Sequence, residues 1–202
     1  MKQEFVKALK EKKTLFLKSH IKNSPSWENF IGLINHQYNS PTIIEGAEDE
    51  DIFIHHNNKN TYMYSDSKDG RPFSFNLWFI YYKNLSFNGS DKFYDMPYIQ
   101  DFIADFAPDS FAAKSIINLA GNEFYGSVHK DPQDVVSWCC VGSVEYRIYE
   151  DVPNSEYGCN IDNTDLKYDS YIMEPGDVIL VPAGTIHQAI CHEPRASILI
   201  DL

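Results

Sequence analysis

The sequence has no long hydrophobic run and few cysteines. No stretch approaches the roughly 20 consecutive apolar residues of a membrane-spanning helix, and the N-terminus lacks the apolar region of a signal peptide. We therefore expect a cytoplasmic protein without a membrane partner. The cysteines, which are Cys139, Cys140, Cys159 and Cys191, form no C-x-x-C pair, which argues against a zinc ribbon or a disulfide framework. We expect them to be buried free thiols.

Positive charge is also scarce. The chain has 17 Lys and Arg residues against 29 Asp and Glu residues, which gives a formal net charge of −12 at pH 7. A field of this sign repels phosphate backbones, so we expect no binding to nucleic acid. The same field favours a basic partner, since complementary charges steer association.

The length of the chain suits a single domain. Its 202 residues, 43% of them hydrophobic and 14% aromatic, are enough for one ordinary core, so residues 1–202 are expected to fold as one unit. The part from 1 to about 110 mixes helical and extended signals and a polar loop at about 45–70. Its expected elements are a helix near 2–12, a strand at Thr14–Leu17, a helix after Ser26 and a helix from Ile99 to Phe106.

The part from about 111 to 202 has a different pattern, because short β-type runs are separated by Gly, Pro, Asn and Asp. The runs are Ser115–Leu119, Val135–Val141, Val144–Tyr149, Tyr168–Met173, Val178–Val181, Ile186–Ile190 and Ser197–Ile200. Such a density of strands with no intervening helix favours a closed or sandwiched antiparallel sheet, commonly a jelly roll. We predict a mainly β fold with flanking helices around a double-stranded β-helix core.

Two motifs in this second part point to a metal site. His129 and Asp131 are two positions apart, so in extended backbone both side chains leave the same face. In Glu174–His187 a turn opens an apolar strand, a Pro-x-Gly turn closes it, and His187 begins the next strand. Two histidines and one carboxylate leave coordination positions open, which suits non-haem iron(II). We predict that His129, Asp131 and His187 are the metal ligands.

The second motif resembles a known one. Gly176, Pro182, Gly184 and His187 have the spacing of the second cupin motif, and Cys191 stands where that motif often has Asn. The first motif, His129-Lys-Asp-Pro-Gln-Asp134, is similar to the H-x-D-P-x-D element of the JmjC-type, cupin-like hydroxylases. The resemblance is strong over 121–202 and weak over most of the rest.

The resemblance implies an Fe(II)- and 2-oxoglutarate-dependent oxygenase that consumes O2. Its relatives hydroxylate an amino-acid side chain in a protein, or a small molecule, and need no catalytic residue beyond the metal ligands. Two alternatives stay open at this point. One is a cupin metalloenzyme that does not use 2-oxoglutarate, and the other is a metal-binding cupin without catalytic activity.

Members that use 2-oxoglutarate need a cation for its distal carboxylate, and Arg binds carboxylates bidentately. Arg195 and Ser197 resemble the R-x-S element of many such oxygenases, so we predict that both bind the co-substrate, with the Tyr146 phenol on the same carboxylate. Arg147 is the alternative anchor, although strand parity places it on the face opposite to Tyr146. The basic residue of the JmjC-type hydroxylases is replaced by Val144.

The substrate pocket and the assembly state are less defined by the sequence. Trp78, Tyr125 and Trp138 are candidates for lining the pocket, since large aromatic side chains shape ligand cavities as well as cores. The loops at about 45–70 and 150–167 are expected to shape specificity. Because the chain ends at Leu202, directly after the last expected strand, we expect a monomer or a weak homodimer.

Overall fold

The structure is a computed structural model that describes residues 2–39, 52–56, 59–63, 84–88, 95–107, 112–118, 124–125, 127–151, 157 and 165–202. Trp78, Cys159 and most of the predicted loop at 150–167 lie outside these residues. The helices are α1 (Lys2–Glu11), α2 (Trp27–Asn39) and α3 (Ile99–Phe106). In the described ranges no helix is long and apolar enough to cross a membrane.

The strands are β1 (Leu15–Leu17), β2 (Ile52–His56), β3 (Lys59–Met63), β4 (Asn84–Asn88), β5 (Ala112–Asn118), β6 (Phe124–Tyr125), β7 (Val135–Val141), β8 (Val144–Tyr149), β9 (Tyr168–Met173), β10 (Val178–Val181), β11 (His187–Cys191) and β12 (Arg195–Asp201). They form a larger sheet of order β1-β10-β7-β12-β5-β4-β2-β3 and a smaller sheet of order β6-β11-β8-β9. The chain changes sheet between β7 and β8 and again from β10 through β12, which is the alternation of a jelly roll. The predicted fold class is therefore confirmed.

The expected elements agree with the structure except in the polar part of the first half. The prediction of a loop at about 45–70 is wrong for Ile52–His56 and Lys59–Met63, which pair as antiparallel strands. The first of these strands also pairs with Asn84–Asn88, so the larger sheet continues through them. Backbone pairing satisfies main-chain N–H and C=O groups whatever the side chains are, so polar composition alone did not exclude strands.

The outer face of the larger sheet is covered by helices. Trp138 on β7 is completely buried in a cluster that includes Phe102 and Phe106 of α3, and the rings of Trp138 and Phe102 are 5.0 Å apart. Because side chains alternate along a strand, the neighbours Ser137 and Cys139 point to the opposite face, between the two sheets. Because the helices cover one face of β7, only side chains on the opposite face, between the sheets, can contribute to a site.

The space between the sheets is lined by a second cluster of buried residues. Cys139 and Ile179 from the larger sheet meet Tyr146, Met173 and Cys191 from the smaller sheet, and each of these side chains is almost fully buried. The cysteines Cys139, Cys140 and Cys191 are buried and free, as predicted. The two sheets therefore pack through a mostly apolar layer. Burying a polar group in this layer costs free energy.

Two glycines permit the turns that join the sheets. Gly142 and Gly176 have φ angles of 69° and 94°, a region that favours glycine. A Cβ atom on Gly142 would collide with the backbone carbonyl of Pro194, and one on Gly176 would collide with the carbonyl of Ile21. The β7–β8 turn consequently lies directly against the turn that leads into β12.

Candidate metal centre

The two motif histidines are brought together by backbone pairing. His129 and His187 form an isolated antiparallel bridge in which the N–H of His129 donates to the carbonyl of His187 at 3.1 Å and the reverse bond is 2.8 Å. Directly opposed residues of an antiparallel pair project from the same face. Their imidazole rings accordingly lie with centroids 4.5 Å apart.

Asp131 completes a compact group of potential metal ligands. Its two carboxylate oxygens lie 3.6 Å from Nε2 of His129 and 3.6 Å from Nε2 of His187. One potential ligand atom from each of the three residues lies within 4.8 Å of the ligand atoms of the other two. Among the residues that the structure describes, this is the one group of three or more His, Cys, Asp or Glu residues that could hold a metal ion. The sequence spacing and the three-dimensional arrangement therefore agree on the same three residues.

Backbone carbonyls orient both imidazoles toward the centre of this group. Nδ1 of His129 is 2.9 Å from the carbonyl oxygen of Ser127, and Nδ1 of His187 is 3.0 Å from that of Thr185. We assign Nδ1 as the protonated nitrogen, because a carbonyl can only accept, so the Nε2 lone pairs face Asp131. Burial, reinforced by the neighbouring His129, lowers the pKa of His187 to about 4. The imidazole of His187 is thus neutral at pH 7, as a metal ligand must be.

The two motifs are also linked to each other by hydrogen bonds. The backbone carbonyl of Asp131 accepts the N–H of Gly184 at 2.9 Å, and the carboxylate of Asp134 accepts the N–H of Ala183 at 2.7 Å. Asp134 also pairs with Lys12 at 2.9 Å. This connection fixes the turn before His187 against the segment that contains Asp131. The sequence motif includes Asp134, but the sequence did not predict that this residue fixes the turn before His187.

Arg195 is a buried cation on the face between the sheets. Its residue exposure is only 2%. Its Nε donates to Sγ of Cys191 at 3.0 Å, and its Nη1 donates to Oγ of Ser197 at 2.9 Å. Within the described part of the chain, no carboxylate lies within salt-bridge distance of the Arg195 guanidinium. A buried charge without an opposite charge is costly, which favours an anionic ligand at this position.

Arg147 has a different environment. It lies on β8 next in sequence to Tyr146, and its Nε donates to the carboxylate of Glu145 at 2.7 Å. The guanidinium also stacks over the ring of Tyr168, 4.7 Å from the ring centroid. Hydrogen bonds from Arg147, followed in weight by one from His192, lower the pKa of Glu145 to about 2 despite its burial. The charge of Arg147 is therefore already compensated within the protein.

Tyr146 lies between the metal ligands and Arg195. Its ring stacks on that of His187 with centroids 6.4 Å apart, and it pairs across the sheet with Ala189, which lies between His187 and Cys191 on β11. Burial raises the pKa of Tyr146, and the nearby charge of Arg195 acts against this rise. The phenol is consequently neutral and able to donate a hydrogen bond.

The aromatic residues predicted for the substrate pocket are separated by the fold. Trp138 packs against Phe102 on the helix-covered face, so the prediction that it lines the pocket is wrong. Tyr125 is in β6 and pairs with Ile190 on β11, which places its backbone in the smaller sheet, while Trp78 lies outside the described residues. Whether a side chain of β7 faces the site depends on whether it leaves the strand on the helix-covered face or on the opposite face. Its aromatic character does not decide this.

One pair near the metal ligands was not identified in the sequence. The ammonium group of Lys130 lies 4.9 Å from the ring centroid of Tyr157, and a Cβ atom on Gly184 would be 3.6 Å from the Tyr157 hydroxyl. Lys130 lies between His129 and Asp131, so Tyr157 is close to both metal-binding motifs. An isolated tyrosine in a polar loop gives no sequence signal for such a position.

A jelly-roll fold that presents two histidines and a carboxylate from adjacent segments defines a cupin-like class of metalloprotein. The model of the JmjC domain matches residues 91–201, which is more than half of the chain. The chain therefore belongs to the JmjC domain family, and the predicted resemblance to this family is confirmed.

Solved structures of similar fold include the Escherichia coli protein YcfD. Its X-ray structure superposes with a TM-score of 0.65 at 16% identity, covering 98% of this chain and 51% of YcfD. A structure of the same protein, called a ribosomal oxygenase, gives a TM-score of 0.61 at 15% identity over 98% and 50% of the two chains. A complex of YcfD with cobalt and 2-oxoglutarate gives 0.57 at 16% identity, over 98% and 50%.

The chain thus spans about half the length of these structures. At this level of identity the similarity extends to the fold. No curated protein matches the sequence significantly.

Proposed function

We propose that the protein is an Fe(II)- and 2-oxoglutarate-dependent oxygenase that hydroxylates an amino-acid side chain in a protein. The observation that supports this proposal most directly is the combination of His129, Asp131 and His187 with the buried guanidinium of Arg195, which forms no ion pair with a carboxylate in the described part of the chain. Membership in the JmjC domain family agrees with the proposal.

The residues of this chain divide the task between them. His129, Asp131 and His187 are proposed to bind the iron through one face and to leave the other positions open. Arg195 and Ser197 are proposed to bind the distal carboxylate of 2-oxoglutarate, with the Tyr146 phenol as a further donor. The mostly apolar layer between the sheets excludes water from these groups. The bound iron, when present, supplies the activation of oxygen.

The overall reaction consumes 2-oxoglutarate, O2 and a substrate C–H bond, and it yields succinate, CO2 and a C–OH bond. One oxygen atom enters succinate and the other enters the product, so the oxidation of 2-oxoglutarate and that of the substrate balance the reduction of O2. The role of the protein side chains is to hold the reactants in place and to exclude water, which is how cofactor enzymes generally divide the work.

The proposed substrate class rests on charge and on a relative. The net charge of −12 favours a basic partner. YcfD is called a ribosomal oxygenase, and ribosomal proteins are typically basic. We therefore propose a side chain in a basic protein as the substrate, with a small molecule as the alternative. A cytoplasmic location and a monomeric or weakly dimeric state stay predictions.

The test is an aerobic assay of the purified protein with Fe(II) and 2-oxoglutarate. We expect formation of succinate that increases when basic ribosomal proteins are added, and a product heavier by one oxygen atom. His187→Ala should abolish turnover, whereas Arg195→Ala should raise the KM for 2-oxoglutarate by at least tenfold. Arg147→Ala is the matched control, because this guanidinium pairs with Glu145, and it should leave that KM unchanged.

Two outcomes would contradict the proposal. Iron binding without any turnover of 2-oxoglutarate would favour a cupin that uses the metal alone. Loss of 2-oxoglutarate binding in Arg147→Ala, with binding retained in Arg195→Ala, would show that the anchor is the other arginine.

A further inference from the structure

The Arg195 guanidinium is held by a sulfur atom in place of a carboxylate. Sγ of Cys191 accepts the Nε–H at 3.0 Å, and Oγ of Ser197 accepts one Nη1–H at 2.9 Å. Cys191 and Ser197 are both 0% exposed, and Arg195 is 2% exposed. These contacts occupy two N–H groups and leave the remaining donors of the fork for another partner.

Both contacts are with a thiol and a hydroxyl, which orient the guanidinium without a carboxylate. A carboxylate in place of Cys191 would form an ion pair with Arg195 and compete with an anionic ligand, as Glu145 does for Arg147. Burial raises the pKa of Cys139, the other nearby thiol, to about 12, so Cys139 adds no negative charge. Arg195 therefore keeps a full positive charge that no described carboxylate neutralises.

The position of Cys191 in the sheet explains how it reaches Arg195. Cys191 ends β11, the strand that begins with His187, and it lies in the inter-sheet cluster with Cys139 and Tyr146. Arg195 begins β12 in the other sheet, just after the short turn. The Cys191–Arg195 hydrogen bond therefore connects the strand that contains a metal ligand to the strand that contains the cation.

We infer that Cys191 is a positioning residue for co-substrate binding, which acts by orienting the Arg195 guanidinium toward the distal carboxylate. This inference rests on the proposed function. Bidentate binding of a carboxylate requires a fixed plane for the guanidinium, and the acceptor on Nε is one of the two contacts that define this plane. Without it, the side chain regains rotational freedom that ligand binding must then remove.

The chain offers a well-matched control in Cys140. This residue is 3% exposed, but it belongs to the helix-covered cluster on the opposite face of β7. Its thiol is close to the carbonyl of Trp138, at 3.7 Å, and Arg195 is not among its partners. Replacing Cys140 thus removes a buried thiol of the same size without altering the environment of Arg195.

The experiment uses the full chain loaded with zinc, which binds such ligands without redox chemistry. Calorimetric titrations compare 2-oxoglutarate with 2-oxobutanoate, which lacks the distal carboxylate. We expect Cys191→Ala to weaken binding of 2-oxoglutarate about tenfold and to leave binding of 2-oxobutanoate unchanged. Cys191→Ser, which keeps an acceptor atom, should recover part of the loss. Cys140→Ala should change neither affinity.

The outcomes separate this inference from the proposed function. If the unmodified protein does not prefer 2-oxoglutarate to 2-oxobutanoate, the proposed function fails. If it does prefer 2-oxoglutarate and Cys191→Ala keeps the same preference, only the role of Cys191 is refuted. A Cys191→Ala protein that loses affinity equally for zinc and for both acids would also refute it, because the effect would then be a general loss of structure.

Discussion

Replacing Arg195 by methionine should stabilise the metal-free protein while it removes binding of 2-oxoglutarate. Methionine has a similar length and no charge, so it fills the same space in the layer between the sheets. Replacement of buried charges by apolar residues of similar volume is often stabilising, by about 1–4 kcal/mol. Loss of the two hydrogen bonds to Cys191 and Ser197, worth about 1 kcal/mol each, offsets about 2 kcal/mol of this gain.

A net gain on the order of 1 kcal/mol corresponds to a rise in Tm of about 2–4 °C for a chain of this length. The effect on the ligand has the opposite sign. Loss of a charge-assisted, bidentate contact worth about 3 kcal/mol should weaken 2-oxoglutarate binding on the order of 100-fold. One substitution therefore raises the stability of the free protein and removes the additional stabilisation by the ligand.

The assay is thermal unfolding with and without zinc and 2-oxoglutarate, followed by circular dichroism. Arg147→Met is the matched control. It breaks an ion pair with Glu145, so it should lower the Tm slightly and leave the shift caused by 2-oxoglutarate intact. A large loss of stability in metal-free Arg195→Met would refute the reasoning, because it would mean that the charge of Arg195 is compensated within the folded chain.

Three further predictions concern groups around the site. Asp134→Ala should lower zinc affinity by about 10–100-fold in a competition titration, because the hydrogen bond to Ala183 that fixes the two motifs is lost; unchanged affinity would contradict this. The pKa of Glu145 is lowered to about 2, so its stabilising effect is present above about pH 4.5 and is lost as the pH falls from there through 2. The free energy of unfolding in urea of Glu145→Gln should therefore be lower than that of the unmodified protein by a few kcal/mol at pH 7. At pH 2 the two should differ little. A difference that does not depend on pH would exclude this origin. Gly142→Ala should lower the urea midpoint strongly, since a Cβ atom meets the carbonyl of Pro194 at a φ of 69°; a midpoint within error of the original would mean that the turn adjusts.

The sequence was sufficient for four strands of the second half. Val135–Val141, Val144–Tyr149, Tyr168–Met173 and Val178–Val181 have the predicted bounds, because turn residues separate these β-type runs. It was not sufficient for β2 and β3, which lie in a segment rich in Asp, Asn and Lys and whose pairing is decided by neighbouring strands. Local composition indicates which segments bury side chains, and it does not indicate which polar segments find a partner in a sheet.

The metal-binding group was accessible to sequence reasoning because it depends on local geometry. The separation of His129 and Asp131 by two positions and the turn before His187 each specify a direction for a side chain. Trp138 was assigned wrongly because its orientation depends on which face of β7 the helices cover, and that is decided by residues far away, such as Phe102. Long-range packing, in contrast to local spacing, gives no pattern in the sequence.

The same fold relates the metal ligands to the co-substrate anchor through two strands. On β11, Cys191 is four positions after His187, which corresponds to about 13 Å of extended chain. The guanidinium of Arg195 lies beside Cys191, at one end of β11. The ring of Tyr146 lies between the positions of His187 and Cys191 along this strand. For the proposed oxygenase, a ligand that contacts both the metal and Arg195 has to span this separation along β11. The spacing therefore favours an extended acid with carboxylates at both ends over a short acid with one carboxylate.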